Sequence, residues 1–368
     1  MIEKYKVILI NGRFLTQPIT GVQRYAYGAI SALLKLRELK ERRYKFIIAI
    51  PDGNSKAYFL NNTDIEFFYD ASSLPSPVWQ QIRLPVVMKK LKADLLWSPC
   101  NIGPVCIRNH VVTIHDASIF AGPQWFSKRF RMYYRLILPI MGRVAKRVIT
   151  DSNFSREELV KYRVCDDRKI TVIPAGVNPE FTPDKSKILD FPYILTVGSR
   201  DPRKNVLQFV NAWQRLPIHI KGNRKLVIAG GGAKSFAAEI FKIIPNDVNF
   251  TGYINDKDLP SFYSGADAFV YPSLYEGFGL PPLEAMACGC PVVVSNVASL
   301  PEVCGDAAYY VDPYNVESIA EGMQKVLTDD TLRQNLIKKG LERAKLFSWE
   351  KAAKEHLKVF EEVSGNSQ

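Results

Sequence analysis

Short apolar runs of strand length recur along the chain, separated by longer stretches whose apolar positions return every three or four residues. The runs YKVILI, YKFIIAI, IEFFYD, ADLLWSP, VVTIHD, RVITDS and ITVIPAG read as buried strands. Segments such as Val22–Leu36 and Lys128–Val144 have the length and spacing of helices. The pattern then restarts with YILTVGS, followed by KLVIAGG, VNFTGYI, DAFVYPS, PVVVSN and AYYVDP. Strand, helix and strand in alternation predict parallel sheets covered on both faces, and two such series predict two Rossmann-like α/β domains. The polar, proline-bearing stretch Asn178–Pro192 reads as the linker. The first domain is therefore expected over residues 1–180 and the second over 190–350. The tail from Asp330 to Val363 reads as helical, and its last helix, about 352–368, is expected to pack back on the first domain.

Composition narrows the classes. With 368 residues, 47% hydrophobic and 23% charged, the chain is long and apolar enough for two buried cores. Its formal charge of +12 favours an anionic partner: nucleic acid, a phosphorylated substrate or an acidic membrane face. No nucleic-acid-binding module is recognisable, which argues against the first. The six cysteines show no paired C-x-x-C spacing, and CGC at Cys288–Cys290 reads as small buried thiols rather than half a metal site. The N-terminal MIEKYKVILINGR lacks the apolar core of a signal peptide, and no apolar run reaches the roughly 18 residues of a membrane span. A cytoplasmic protein with reduced thiols is expected.

Open parallel sheets bind ligands at the C-terminal ends of their strands, and the polar signals cluster there. NGR follows VILI, HD follows VVTI, DSN follows VIT, GSRDPRKN follows ILTV, and SLYEGFG follows AFVYP. In GSRDPRKN, Gly198 lets the chain turn, and Arg200, Arg203 and Lys204 bring three cations to the start of the next helix. A helix N-terminus already attracts anions, so guanidinium and ammonium added there suit a diphosphate held without metal; a solvated basic turn is the plainer reading. In YEGFGLPPLEAMACG, the prolines Pro281 and Pro282 suit the first turn of a helix that stops at Gly289. Glu276 then lies on the loop and Glu284 on the helix, where two carboxylates suit vicinal hydroxyls of a sugar or ribose. Gly277 and Gly279 leave backbone N–H groups open to a close ligand. The spacing alone leaves a capping glutamate beside an ordinary loop as an equal reading.

Other features stay open on residues alone. His115 in HD is as consistent with a strand-end turn as with a ligand-binding group, and with only four histidines in the chain a metal cluster is disfavoured. Gly230–Gly232 fails the G-x-G-x-x-G pattern, since Ser235 stands where the last glycine belongs. From Ala117 to Thr150 there is no acidic residue, while Lys128, Arg129, Arg131, Arg135, Arg143, Lys146 and Arg147 interleave with Trp125, Phe126, Phe130, Tyr133 and Tyr134. That mixture suits an anionic membrane surface or a lipid-diphosphate acceptor, and equally a core-facing helix with a solvated face.

The segment EGFGLPPLE closely resembles the E-x7-E signature of the retaining glycosyltransferases of family 4, which have the GT-B fold. In the same order, TGVQRY resembles that family's acceptor-side loop, TIHD its histidine strand, TDSNFSREEL and VIPAGVNPEFTP the end of its first domain, VGSRDPRKN its donor-phosphate loop, and SNVASLPEVCGDAAYYVDP the segment after E-x7-E. The resemblance spans nearly the whole chain and is nearest to the mannosyltransferase-like branch of bacterial surface-polysaccharide synthesis. One departure is Asn178, where many relatives carry aspartate.

The resemblance implies two Rossmann-like domains with parallel sheets facing across a cleft. It implies that Arg203 and Lys204, with Gly198 and Ser199, hold a donor diphosphate and that Gly21 lies beside it. Glu284 would bind the ribose, while Glu276 and the backbone of Gly277, Phe278, Gly279 and Leu280 would hold the transferred sugar. His115 would hydrogen-bond that sugar near the reacting carbon. His115, Glu276, Arg203 and Lys204 are thus the candidate catalytic groups, and Arg24, Lys128, Arg129, Arg131 and Arg135 are candidates for acceptor or membrane contact. The implied enzyme is a retaining hexosyltransferase that needs no metal and no cofactor. It would move mannose from GDP-mannose to a glycan on polyprenyl diphosphate at the cytoplasmic membrane face, with no nucleic-acid partner. A UDP- or dTDP-sugar donor, a phosphorylase-like or sucrose-phosphate-like relative with a soluble acceptor, and a nucleic-acid-binding protein are the alternatives.

Overall fold

The computed structural model describes residues 5–37, 44–51, 65–184, 186, 188–198, 201–231 and 245–365. Each of the apolar runs named above forms a strand, and the strands make two sheets, both wholly parallel. By contact clustering the chain divides into two compact units: Met1–Ala117 with Tyr133–Gly176 and Ser348–Gln368, and Ser118–Met132 with Val177–Phe347. Residues 118–132, counted with the first domain from the sequence, thus cluster with the second unit.

The first unit contains β1 (Lys6–Asn11), β2 (Tyr44–Ile50), β3 (Ile65–Tyr69), β4 (Leu95–Ser98), β5 (His110–Thr113), β6 (Arg147–Thr150) and β7 (Ile170–Val172). Their order is β3-β2-β1-β4-β5-β6-β7, so the direction of winding reverses between β1 and β4. Ile8, Leu9, Ile10, Leu95, Leu96 and Trp97 are fully buried, as expected of central strands covered on both faces. The helix Ser76–Lys90 covers the sheet with Trp79, Leu84, Val87 and Met88, which pack on Leu9, Ile47 and Leu96. Each such side chain contributes about 1.5–3 kcal/mol by leaving water.

The helix Gly21–Lys35 begins inside the TGVQRY motif, so this stretch is a helix start rather than a loop. Thr20 and Gln23 form a reciprocal capping box, which satisfies N–H groups that the first turn leaves open. The C-terminal helix Trp349–Ser364 packs on it. Tyr25 Oη lies 2.9 Å from His356 Nε2. The Trp349 indole fills the space beside Gly28 and Gly176, where a β-carbon would come within 2.2 Å of Trp349 atoms at either position.

The second unit contains β8 (Tyr193–Val197), β9 (Lys225–Ala229), β10 (Val248–Gly252), β11 (Ala268–Tyr271), β12 (Val292–Ser295) and β13 (Tyr309–Val311), in the order β10-β9-β8-β11-β12-β13. Here the winding reverses between β8 and β11. The helices Val206–Arg215 and Val316–Thr328 close one core, where Phe209, Trp213, Ile319 and Met323 pack on Ile194, Leu226 and Val293.

The helix Lys128–Val144 carries the basic stripe. Met132, Leu136 and Ile140 are exposed along it at four-residue spacing, beside exposed Lys128, Arg129 and Arg135. Among the described residues no helix is long and apolar enough to cross a membrane.

Candidate active site

The reversal between β8 and β11 leaves two strand ends side by side with no helix crossing between them, which is where open sheets hold ligands. After β8 the chain makes a short 3-10 turn, Pro202–Lys204. Asp201 starts it: its Oδ1 accepts the Arg203 backbone N–H at 2.9 Å. Asn205 ends it in the left-handed conformation, φ 57°, which asparagine tolerates. The Asn205 amide donates to the carbonyls of Pro272 at 3.1 Å and Pro313 at 2.7 Å, tying the turn to the chain beyond β11 and β13. The Leu274 N–H donates to the Arg203 carbonyl at 2.7 Å. Two adjacent cations are therefore fixed by backbone geometry.

The Arg203 guanidinium donates from Nε to Asp201 Oδ2 at 2.7 Å, with a second nitrogen at 2.6 Å, and lies over the Phe126 ring at 5.4 Å. Lys204 sits just before the helix Val206–Arg215. A β-carbon on Gly198 would lie 3.1 Å from Lys204 Cγ, so glycine lets the lysine stem lie close to the strand end. The Lys204 ammonium donates to Glu276 Oε1 and to Tyr271 Oη, both at 2.6 Å. Burial alone would push this ammonium toward neutrality, but the Glu276 carboxylate and then Tyr271 hold its pKa well above the ordinary lysine value.

Glu276 lies on the loop after β11, and the helix Leu280–Ala287 follows with Pro281 and Pro282 in its first turn. The loop is held closely. The Ser299 hydroxyl lies 2.9 Å from the Glu276 carbonyl and 2.7 Å from that of Phe278. The Phe278 ring meets Phe347 edge-to-face, and Tyr275 leans on Trp125. Gly279 has φ 115°, a conformation that favours glycine, and a β-carbon there would also sit 2.9 Å from Leu300. Glu284 is buried in the helix and accepts a hydrogen bond from Tyr263 Oη at 3.0 Å. The structure thus brings Gly198, Arg203, Lys204 and Glu276 to neighbouring strand ends and leads the Gly277–Leu280 loop into the helix that carries Glu284. Ser199, like Arg200, Gly232 and Ser235, lies outside the described residues.

In the first unit, His115 follows β5. Its Nδ1 lies 2.6 Å from Asp151 Oδ2 and its Nε2 lies 3.0 Å from the Pro99 carbonyl. Its backbone N–H donates to Asn101 Oδ1 at 2.9 Å, and its carbonyl accepts from the Ser155 hydroxyl at 2.9 Å. The expectation that this ring hydrogen-bonds the donor sugar is corrected here: both ring nitrogens are already taken by protein acceptors. Burial alone would lower its pKa, but the Asp151 carboxylate, by charge and hydrogen bond, raises it to about 10. Gly21 opens the helix Gly21–Lys35, with open space where a β-carbon would stand. Arg24 lies on the same helix, while Lys128, Arg129, Arg131 and Arg135 lie on the helix Lys128–Val144.

Sequence reasoning missed Asp201, Tyr271, Tyr263, Asn101 and Asp151. Asp201 and Asp151 had a signal, since each stands within a strand-end motif already quoted. Tyr271 and Tyr263 had none, because a tyrosine in an apolar run reads as core.

The profile described as Glycosyl transferases group 1 matches residues 178–343, and that described as Glycosyltransferase Family 4 matches residues 21–181. The chain is 31% identical over 366 residues to the O-antigen chain mannosyltransferase B of Escherichia coli, an alignment covering 93% of this chain and 96% of that one. Among solved structures it is similar to a sucrose-phosphate synthase from Thermosynechococcus elongatus, with TM-score 0.77, 20% identity and coverage of 99% of this chain and all of that one. It is also similar to HepE from Anabaena in complex with UDP-glucose, with TM-score 0.72, 15% identity and coverage of 98% of this chain and 100% of that one.

Proposed function

The chain belongs to glycosyltransferase family 4 and has the GT-B fold of two parallel-sheet units, and from that premise we propose that it transfers mannose from GDP-mannose to a growing O-antigen-type glycan with retention of configuration. The observation that carries the reading is the pair of fixed cations, Arg203 and Lys204, beside Glu276 at the β8/β11 reversal.

The chemistry follows from charge. Breaking the bond from sugar to diphosphate puts negative charge on the leaving phosphate and positive charge on the ring. A guanidinium, an ammonium and a helix N-terminus stabilise the first without a divalent ion. As phosphate takes the Lys204 ammonium, the Glu276 carboxylate is released toward sugar hydroxyls, and Glu284 accepts the ribose. Attack from the face of departure retains the anomer and asks no protein carboxylate to act as nucleophile.

The donor is read from kinship with the mannosyltransferase of Escherichia coli. The HepE complex with UDP-glucose supports a UDP-sugar as the second reading. A panel of GDP, UDP, ADP and dTDP in thermal unfolding, followed by transfer from the matching sugar, separates the two. At a hundred times its dissociation constant a ligand that binds the folded state stabilises it by about 2.7 kcal/mol. Stabilisation by UDP and not GDP would overturn the donor assignment.

The acceptor is read as a lipid-linked glycan. Two helices of the chain support it. Lys128–Val144 exposes Met132, Leu136 and Ile140 beside cations, and Ser76–Lys90 exposes Val78, Ile82 and Val86 within a stretch, 71–93, that has no acidic residue. Apolar side chains ringed by Lys and Arg suit an anionic lipid surface.

A further inference from the structure

Three histidines of the first unit are fully or nearly fully buried: His110, His115 and His356. Their surroundings differ in one respect. His356 has the Ala352 carbonyl 2.7 Å from Nδ1 and the Tyr25 hydroxyl 2.9 Å from Nε2. The hydroxyl can donate, so a neutral ring with one proton satisfies both contacts. His110 has the Ser98 hydroxyl 2.9 Å from Nε2, again a group that can donate or accept. His115 alone of the three faces an acceptor that cannot donate at each nitrogen: the Asp151 carboxylate and the Pro99 carbonyl. A neutral imidazole would leave one nitrogen lone pair facing an oxygen lone pair in a buried site, a repulsive contact in addition to a lost hydrogen bond.

We propose that Asp151 is a positioning residue that keeps His115 doubly protonated, so that the ring acts as a charged clasp joining the ends of β4, β5 and β6, rather than as a group that contacts substrate. The clasp has three attachments besides the ion pair. The ring holds the Pro99 carbonyl, the His115 N–H holds Asn101 Oδ1, and the His115 carbonyl is held by Ser155 at the start of the helix Asn153–Lys161. Four segments of the strand-end surface thus converge on one residue. The inference rests on the first unit's geometry and goes beyond the donor chemistry assigned to the second.

The other titratable groups around the ring fit this charge state. They are Cys100, from the chain beyond β4, and Tyr25, from the helix Gly21–Lys35, whose ring meets the imidazole edge-to-face at 4.7 Å. Burial raises the pKa of both, keeping them neutral at physiological pH. The cluster is then one cation and one anion with no net charge, the arrangement under which a buried ion survives. By contrast, burial lowers His110 to about 3 and His356 to about 4. Asp151 Oδ1 is buried without a hydrogen-bond partner, so the whole carboxylate is committed to one ring nitrogen.

The test is histidine NMR on the full chain, with the His115 signal identified by its loss in His115→Gln. In the wild type, His115 is expected as an imidazolium at pH 7, titrating far above the ordinary value near 6.5. His110 and His356 stay neutral in the same spectra. Asp151→Asn is expected to return His115 to the neutral form at pH 7. It should lower turnover about a hundredfold, as misplacement of a site's framework does, while nucleotide affinity of the second unit is unchanged. A wild-type His115 that is neutral at pH 7 overturns the proposal, and this reading needs no variant to fold and no knowledge of the sugar donor. An Asp151→Asn protein with a neutral His115 and wild-type turnover also overturns the positioning role. Failure of GDP-mannose as donor touches neither result.

Discussion

Each of the two sheets ends in a buried ion pair at 2.6 Å: Lys204 with Glu276 in the second unit, His115 with Asp151 in the first. Both lie at strand ends, where α/β sheets keep their chemistry. They differ in how completely the cation is enclosed. An ammonium carries three donors on a flexible stem, and Glu276 and Tyr271 account for two. An imidazolium carries two on a rigid ring, and Asp151 and Pro99 account for both. The first pair can exchange a carboxylate for a phosphate without leaving a charge unpaired. The second has no donor left to offer. Residue type and location do not separate a binding site from a clasp here; the count of engaged donors does.

The largest effect that tests this contrast is Lys204→Ala. Loss of one pre-placed donor to a developing anion costs about 2.7–4 kcal/mol of barrier, so turnover is expected to fall about 100- to 1000-fold. Steady-state kinetics with the cognate donor measures it. Near-wild-type turnover would place Lys204 with His115 as a structural cation and dissolve the contrast.

The second effect is on stability and has a definite sign. Folded His115 keeps its proton to about pH 10, whereas an unfolded histidine releases it near 6.5. Between these values the folded state binds the extra proton, so the contribution is complete below pH 6.5 and is lost as pH rises toward 10. The stability advantage of wild type over Asp151→Asn is therefore expected to shrink across that window, by at most about 1.4 kcal/mol per pH unit. Urea unfolding at several pH values reads it, and an advantage that grows with pH would contradict the assignment.

The smallest effect concerns the helix Lys128–Val144. Binding to anionic vesicles is expected to weaken steeply between low and physiological salt, because exposed charges separated by more than about 10 Å are screened there. Binding that is absent, or indifferent to salt, would leave the stripe a solvated face.

The strands were legible because a strand covered on both faces needs an unbroken apolar run, and β1, β2, β8 and β12 have one. The Glu276 loop was legible because glycine and proline mark the turn and the helix start on either side of it. What stayed hidden were pairings across the sheets. Nothing in the spacing of His115 and Asp151, thirty-six positions apart, says that parallel neighbours β5 and β6 bring them together. The Lys204–Tyr271 contact depends in the same way on β8 and β11 being neighbours, although two strands intervene in sequence. Sequence patterns report which positions are buried, while pairing is set by topology.

The indole of Trp349 fills the space beside Gly28 and Gly176. The residues that complete the first unit follow the whole second unit along the chain. During synthesis, the earlier half therefore waits with a groove uncovered until its closing helix leaves the ribosome, and the order of translation differs from the order in which cores can be finished.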